Sequence, residues 1–177
     1  MKTACLSALF AGAVLLGGAA AACAQTEISG IGWELSKIEG KTRLPFAPVA
    51  ELHISPEVNF SDNLRAILTL RNPSPKPVEG LVLRYALSLR LLRKGDAPEK
   101  AFWGVPFYVE EVRVSRINPS SERQAKVIRF ELQGQLRQLR SSGFFPSALK
   151  LEVMLCPRQG DEPAAIMRSA IIEILNQ

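Results

Sequence analysis

Six apolar side chains at alternate positions from Leu81 to Leu91 constrain this chain more than anything else in it. Leu81, Leu83, Tyr85, Leu87, Leu89 and Leu91 share one parity; Arg84, Ala86, Ser88 and Arg90 share the other. A helix would scatter both sets around its axis, whereas a strand sends them to opposite faces. The segment therefore reads as a half-buried strand of an antiparallel sheet. Arg93-Lys94-Gly95-Asp96 ends it with a turn.

The same grammar recurs. Leu64 to Arg71 places Leu64, Ala66, Leu68 and Leu70 on one face and Arg65, Thr69 and Arg71 on the other. Ala148 to Cys156 turns Leu149, Leu151, Val153 and Leu155 inward, with Lys150, Glu152 and Met154 outward. Ala50–Ile54 and Phe107–Ile117 read as further strands, and Ile166–Leu175 closes the chain as an apolar one. All twelve prolines follow residue 44, and they punctuate these runs. Asn72-Pro73-Ser74-Pro75-Lys76-Pro77 is a stiff loop that no central strand tolerates. Ser121 to Leu139 is two-sided. Strand parity at Ile128, Phe130 and Leu132 predicts a strand over Gln124–Gln133, followed by one or two helical turns over Gln135–Arg140. A helical stripe through Ile128, Leu132, Leu136 and Leu139 is the competing reading. Roughly seven short strands with at most one short helix predict an all-β, immunoglobulin-like antiparallel sandwich.

The N-terminus has a different character. Lys2 is the only charge before Glu27, and the apolar heart Leu6–Leu16 is followed by glycines and alanines. This is the layout of a secretory signal. The small residues of Ala22-Cys23-Ala24 predict cleavage after Ala24, giving a leader over residues 1–24. The apolar core is nearer ten residues than the ~20 a membrane-spanning helix needs. Residues 25–48 form an arm or a first strand in which Ile31, Trp33 and Leu35 alternate, and residues 49–177 form the sandwich. Cut after Ala24, the mature chain keeps one thiol, Cys156, and can form no internal disulfide. The competing outcome is a lipid-anchored form cut before Cys23.

A resemblance rests on three stretches. They are Leu68-Thr69-Leu70-Arg71-Asn72, then Val78-Glu79-Gly80-Leu81-Val82-Leu83, then a long alternating strand ending in a charged glycine turn. With Ile117-Asn118-Pro119-Ser120-Ser121 ahead of a later strand, the run from Leu64 to Leu155 resembles small secreted bacterial immunoglobulin-like domains of the FxLYD type. Leu89-Arg90-Leu91-Leu92-Arg93 lacks the Phe, Tyr and Asp that name the family. The resemblance implies a sandwich and no catalytic residues.

Chemistry is sparse. No phosphate loop, dinucleotide fingerprint, nucleophile elbow or zinc motif occurs. His53 is the single histidine, which argues against a histidine-based metal site. Glu110 and Glu111 are neighbours, and on a strand neighbours face opposite ways. No catalytic, metal or cofactor residues are assigned.

Two surfaces remain as candidates. From Asn63 to Arg140 there are fifteen Lys+Arg against seven Asp+Glu, a net of +8; the rest of the mature chain has six against ten, a net of −4. Arg65, Arg71, Arg84 and Arg90 take outward positions there and form a candidate surface for an anionic ligand. Export and the lack of a basic-aromatic motif argue against nucleic acid. Phe102, Trp103, Phe107 and Tyr108, gathered around Gly104 and Pro106, form a candidate partner-binding patch, because aromatics supply many interface hot spots. The sequence thus points to an exported, non-enzymatic binding or assembly module of the bacterial envelope, periplasmic or extracellular. Its expected partner is another envelope protein or an anionic envelope component. The alternatives are a small periplasmic hydrolase or carbohydrate-active enzyme with a loop-borne site, and a lipoprotein adapter anchored through Cys23.

Overall fold

A computed structural model describes residues 26–55, 60–127 and 132–176. The leader, Cys5, Cys23 and residues 128–131 lie outside these. The strands are β1 (Glu27–Ser36), β2 (Ile38–Glu39), β3 (Thr42–Arg43), β4 (Ala47–Pro48), β5 (Glu51–Ile54) and β6 (Asn63–Asn72), followed by β7 (Leu81–Arg93), β8 (Phe102–Trp103), β9 (Tyr108–Val114), β10 (Ser121–Val127), β11 (Phe144–Leu155) and β12 (Met167–Asn176). Two short helices accompany them, α1 (Leu132–Ser141) and α2 (Pro163–Ile166), where the sequence led us to expect at most one.

Two sheets pack face to face into an all-β, immunoglobulin-like sandwich. One has the order β10-β6-β1-β4; the other runs β5-β12-β11-β7-β8, with β9 also on the β7 edge. Pairing is antiparallel except between β12 and β5. Alternation places the core. Leu64, Ala66, Leu68 and Leu70 of β6 face Leu81, Leu83, Tyr85, Leu87 and Leu89 of β7 and Leu149, Leu151, Val153 and Leu155 of β11 across one continuous cluster. At roughly 25 cal/mol per Å² of apolar surface, this interior is the main stabilising term.

Segment 25–48 supplies β1, which sits inside the smaller sheet between β6 and β4. Its inward set changes parity. Ile28 opposes Leu70, but Ile31, Trp33 and Leu35 oppose Leu68, Ala66 and Leu64. The register shift between Ile28 and Gly30 leaves Ser29 as an extra residue, and one extra residue exchanges the two faces of a strand. Trp33 is buried, and among the described residues its Nε1 is the buried side-chain polar atom without a hydrogen-bond partner.

The proline loop after β6 is tied down by Asn72. Its fully buried side chain donates to Lys76 O at 2.8 Å and Asn118 O at 3.0 Å, while its Oδ1 accepts from the Ser74 amide at 3.0 Å. Buried amides are retained where their hydrogen bonds are filled.

The segment after β10 corrects the sequence expectation. Leu132 and Gln133, assigned above to a strand, begin α1, and Gly134 lies within it. The helical spacing of Leu132, Leu136 and Leu139 prevails because it buries the first two and half-buries the third against the core. Gly143 ends the helix at φ 76°, a left-handed conformation glycine adopts without strain. Likewise, the strand expected over Phe107–Ile117 is regular only over Tyr108–Val114; Ile117 forms an isolated bridge with Val78.

Candidate functional site

Register, read across the larger sheet, defines its outward face. Trp103 stands beside Arg90, Ala148 and Glu173. Ser88, Lys150 and Ile171 form the next row, then Val109, Ala86, Glu152 and Ser169, then Glu111, Arg84, Met154 and Met167. Among the described residues eight large hydrophobic side chains are exposed, and five of them, Trp103, Val109, Met167, Ile171 and Leu175, lie on this face. Val109 is 61% exposed, and Met167 and Ile171 are each 51% exposed. A groove of about 530 Å³ runs between Ala86, Val109, Met154 and Met167, with Arg84, Glu152 and Arg168 at its margins.

Three cations on this face are paired with carboxylates, while Arg113 at its edge is in none of the ion pairs among the described residues. Arg84 is held by Glu111, Arg90 Nη2 lies 2.5 Å from Glu173 Oε2, and Lys150 Nζ lies 3.1 Å from Glu152 Oε2. The hydrogen bond to Glu111 raises the Arg84 pKa above its ordinary value. Trp103 lies between two cations, its ring centroid 5.0 Å from Lys150 Nζ and 5.8 Å from Arg90 Cζ. Such contacts hold an indole on a surface with ~0.5–1 kcal/mol at exposed sites.

The four arginines singled out in the sequence do not share a surface. Arg65 and Arg71 stand on β6, on the outside of the smaller sheet; Arg84 and Arg90 stand on β7, on the outside of the larger one. Each is paired with a carboxylate: Arg65 with Glu34 at 2.6 Å, Arg71 with Glu27 at 3.4 Å, and the other two as above. Three of these acids, Glu27, Glu34 and Glu173, come from the acidic remainder of the chain. Folding thus brings acidic segments onto basic ones at three of these four arginines.

The aromatic group also divides. Trp103 is outward and 37% exposed. Phe102, half exposed, meets Phe144 edge-on at a centroid distance of 6.1 Å. Phe107 and Tyr108 are half-buried against the core. Between β8 and β9 the edge strand carries two residues more than β7 does, since Arg90 opposes Trp103 but Leu87 opposes Tyr108. This bulge at Gly104–Phe107 pushes Val105 into solvent.

Glu110 takes an inward position at the edge. It accepts hydrogen bonds from the buried Tyr85 and, at 2.6 Å, from Tyr108. The Tyr108 bond, then the Tyr85 bond, lowers the Glu110 pKa; burial, then the bond to Glu110, raises that of Tyr85. Glu111 points the other way, so the neighbouring carboxylates do not meet. His53 lies on the β5 edge, and Cys156 is half-buried beyond β11, its amide bonded to Val82 O. Among the described residues no three His, Cys, Asp or Glu side chains gather as metal ligands, and no helix is long and apolar enough to cross a membrane.

Sequence reasoning missed Val109, Met154, Met167 and Ile171 as a group. The signal lay in β12, whose residues are apolar on both parities. In a sheet with only one face against the core, one of those parities must meet solvent or a partner.

Comparison with protein-family models and with curated proteins returns no match. Among solved structures the chain is similar to the C-terminal domain of Wzt, with 11% identity over 86% of this chain and 74% of that one, at a TM-score of 0.39.

Proposed function

We propose that this chain is an exported, non-enzymatic binding module of the bacterial cell envelope that engages another envelope protein through the outward face of its larger sheet. The observation that carries the reading is the exposure of Val109 and Met167 at one groove on that face, with Ile171 and Trp103 exposed further along the same face. Tryptophan, methionine and arginine are enriched in protein interfaces, and a rim of charge around an apolar centre is the usual interface anatomy. The pairing of Arg84, Arg90 and Lys150 with carboxylates favours a protein partner over a polyanion, because matched charges leave little net field to attract one. It also favours binding over hydrolysis: Glu111 and Glu152 are each engaged by a cation, and Glu152 alone of the two stands at the groove.

Affinity capture from envelope extract with three baits tests the reading: the native chain, Met167→Glu/Ile171→Glu, and Thr69→Glu on the opposite sheet. A species retained by the first and third and lost by the second is the expected result. Equal retention by all three overturns it. Export is tested separately by N-terminal sequencing of the delivered protein. Gln25 is the expected first residue; a lipidated Cys23 selects the anchored form, and Met1 refutes export with cleavage.

A further inference from the structure

The free edge of β9 carries a self-complementary charge pattern. Among the described residues β9 pairs with β7 alone, so its other edge has no strand beside it. The strand reads Tyr108-Val109-Glu110-Glu111-Val112-Arg113-Val114. Glu111 and Arg113 share the outward face with Val109, while Glu110, Val112 and Val114 are inward. Arg113 is exposed and takes part in none of the ion pairs among the described residues.

Two copies of a strand pairing antiparallel about a two-fold axis perpendicular to the sheet must place one residue on that axis, facing itself. Each choice of axis has a different electrostatic outcome. An axis at Glu110, Glu111 or Arg113 sets a charge directly against its own copy, which is unfavourable. An axis at Val112 sets Glu111 against Arg113 of the second copy, Arg113 against Glu111, and Val112 against Val112. Glu110 then faces Val114. This register alone, among those centred within Glu110–Arg113, makes opposite-charge pairs and no like-charge ones.

We infer that two copies of this chain join edge to edge through β9, antiparallel, about a two-fold axis at Val112, merging their larger sheets into one. The joining edge borders the partner-binding groove, which Val109 of the same strand lines, and the merged sheet sets two copies of that groove on one continuous face.

Disulfide trapping tests the register. In a background with Cys5, Cys23 and Cys156 changed to serine, Val112→Cys places the two introduced thiols opposite one another, with Cα atoms ~4.5–5.5 Å apart and within disulfide range. Val109→Cys faces Ser115 of the second copy, so its two thiols lie about 20 Å apart at ~3.4 Å per residue. Mild oxidation is expected to cross-link the first variant and not the second. Sedimentation of the native chain is expected to show a monomer–dimer equilibrium. Arg113→Glu should weaken it about tenfold by setting like charges opposite, and Glu111→Arg/Arg113→Glu should restore it. A native chain that stays monomeric, or cross-linking at position 109 equal to that at 112, overturns the inference and leaves these charges as protection of an exposed edge.

Discussion

The two outer faces of the sandwich are made by the same alternating grammar and have opposite character. Outside the smaller sheet, β1, β6 and β10 present Gly30, Gly32, Glu34, Arg65, Thr69, Arg71, Gln124 and Lys126 with one half-buried apolar side chain, Ile67, and no fully exposed large hydrophobic one. Outside the larger sheet, β7, β9, β11 and β12 present Ala86, Val109, Met154, Met167 and Ile171 around matched charges. The first face needs nothing to cover it. The second leaves apolar surface in water that stability alone would replace with polar side chains, since each buried CH₂ is worth ~0.8 kcal/mol only once it is covered. The fold accounts for the inward residues of both sheets and most outward ones of the smaller sheet; it does not account for the outward apolar set of the larger sheet.

The difference can be broken most sharply at Trp103. Trp103→Ala should cost about 2 kcal/mol or more of partner affinity, as interface hot spots do, while unfolding shows a loss of about 1 kcal/mol, as for exposed substitutions. Arg71→Ala on the other face should leave affinity unchanged. A stability loss of ~3–5 kcal/mol at Trp103 would make it a core residue instead.

The glycine-lined face sharpens the contrast in the other direction. A Cβ built at Gly32 meets no atom within 4 Å. Gly32→Val should therefore raise stability by about 0.5–1 kcal/mol through lower chain entropy and better strand propensity. A urea midpoint that falls would show that the space beside Gly32 is needed.

The smallest effect is expected at the edge. Glu110 has its pKa lowered from 4.5 by its tyrosine bonds, so its contribution is present above its ordinary range and fades as pH falls through the lowered value. Glu110→Gln should flatten the acid limb of the stability curve, with little change near pH 7. Urea midpoints at several pH values measure this, and an unchanged acid slope would show that the tyrosine bonds carry no linkage.

The core was legible because period two is a strong signal. Leu81–Leu91, Leu64–Leu70 and Leu149–Leu155 gave their inward residues one by one. Helix α1 was half legible, since Leu132 fits both periods and only burial against the core chooses between them. The site was less so. Trp103 was visible as an exposed aromatic at a strand junction, but Val109, Met154 and Met167 lie far apart in sequence and meet only through cross-strand register. The arginines misled because linear charge counts ignore which strands pair, and Glu173 lies 83 positions from Arg90.

The two tryptophans of the chain occupy opposite extremes of this architecture. Trp33, enclosed by the core with its Nε1 unbonded, sits where an indole emits at short wavelength. Trp103, partly exposed beside Arg90 and Lys150, sits where emission shifts red and where a small aqueous quencher reaches it. Nature has thus placed one optical reporter in each layer of the molecule: the blue signal follows unfolding of the sandwich, and the red, quenchable one follows occupation of the outward face without any label being attached.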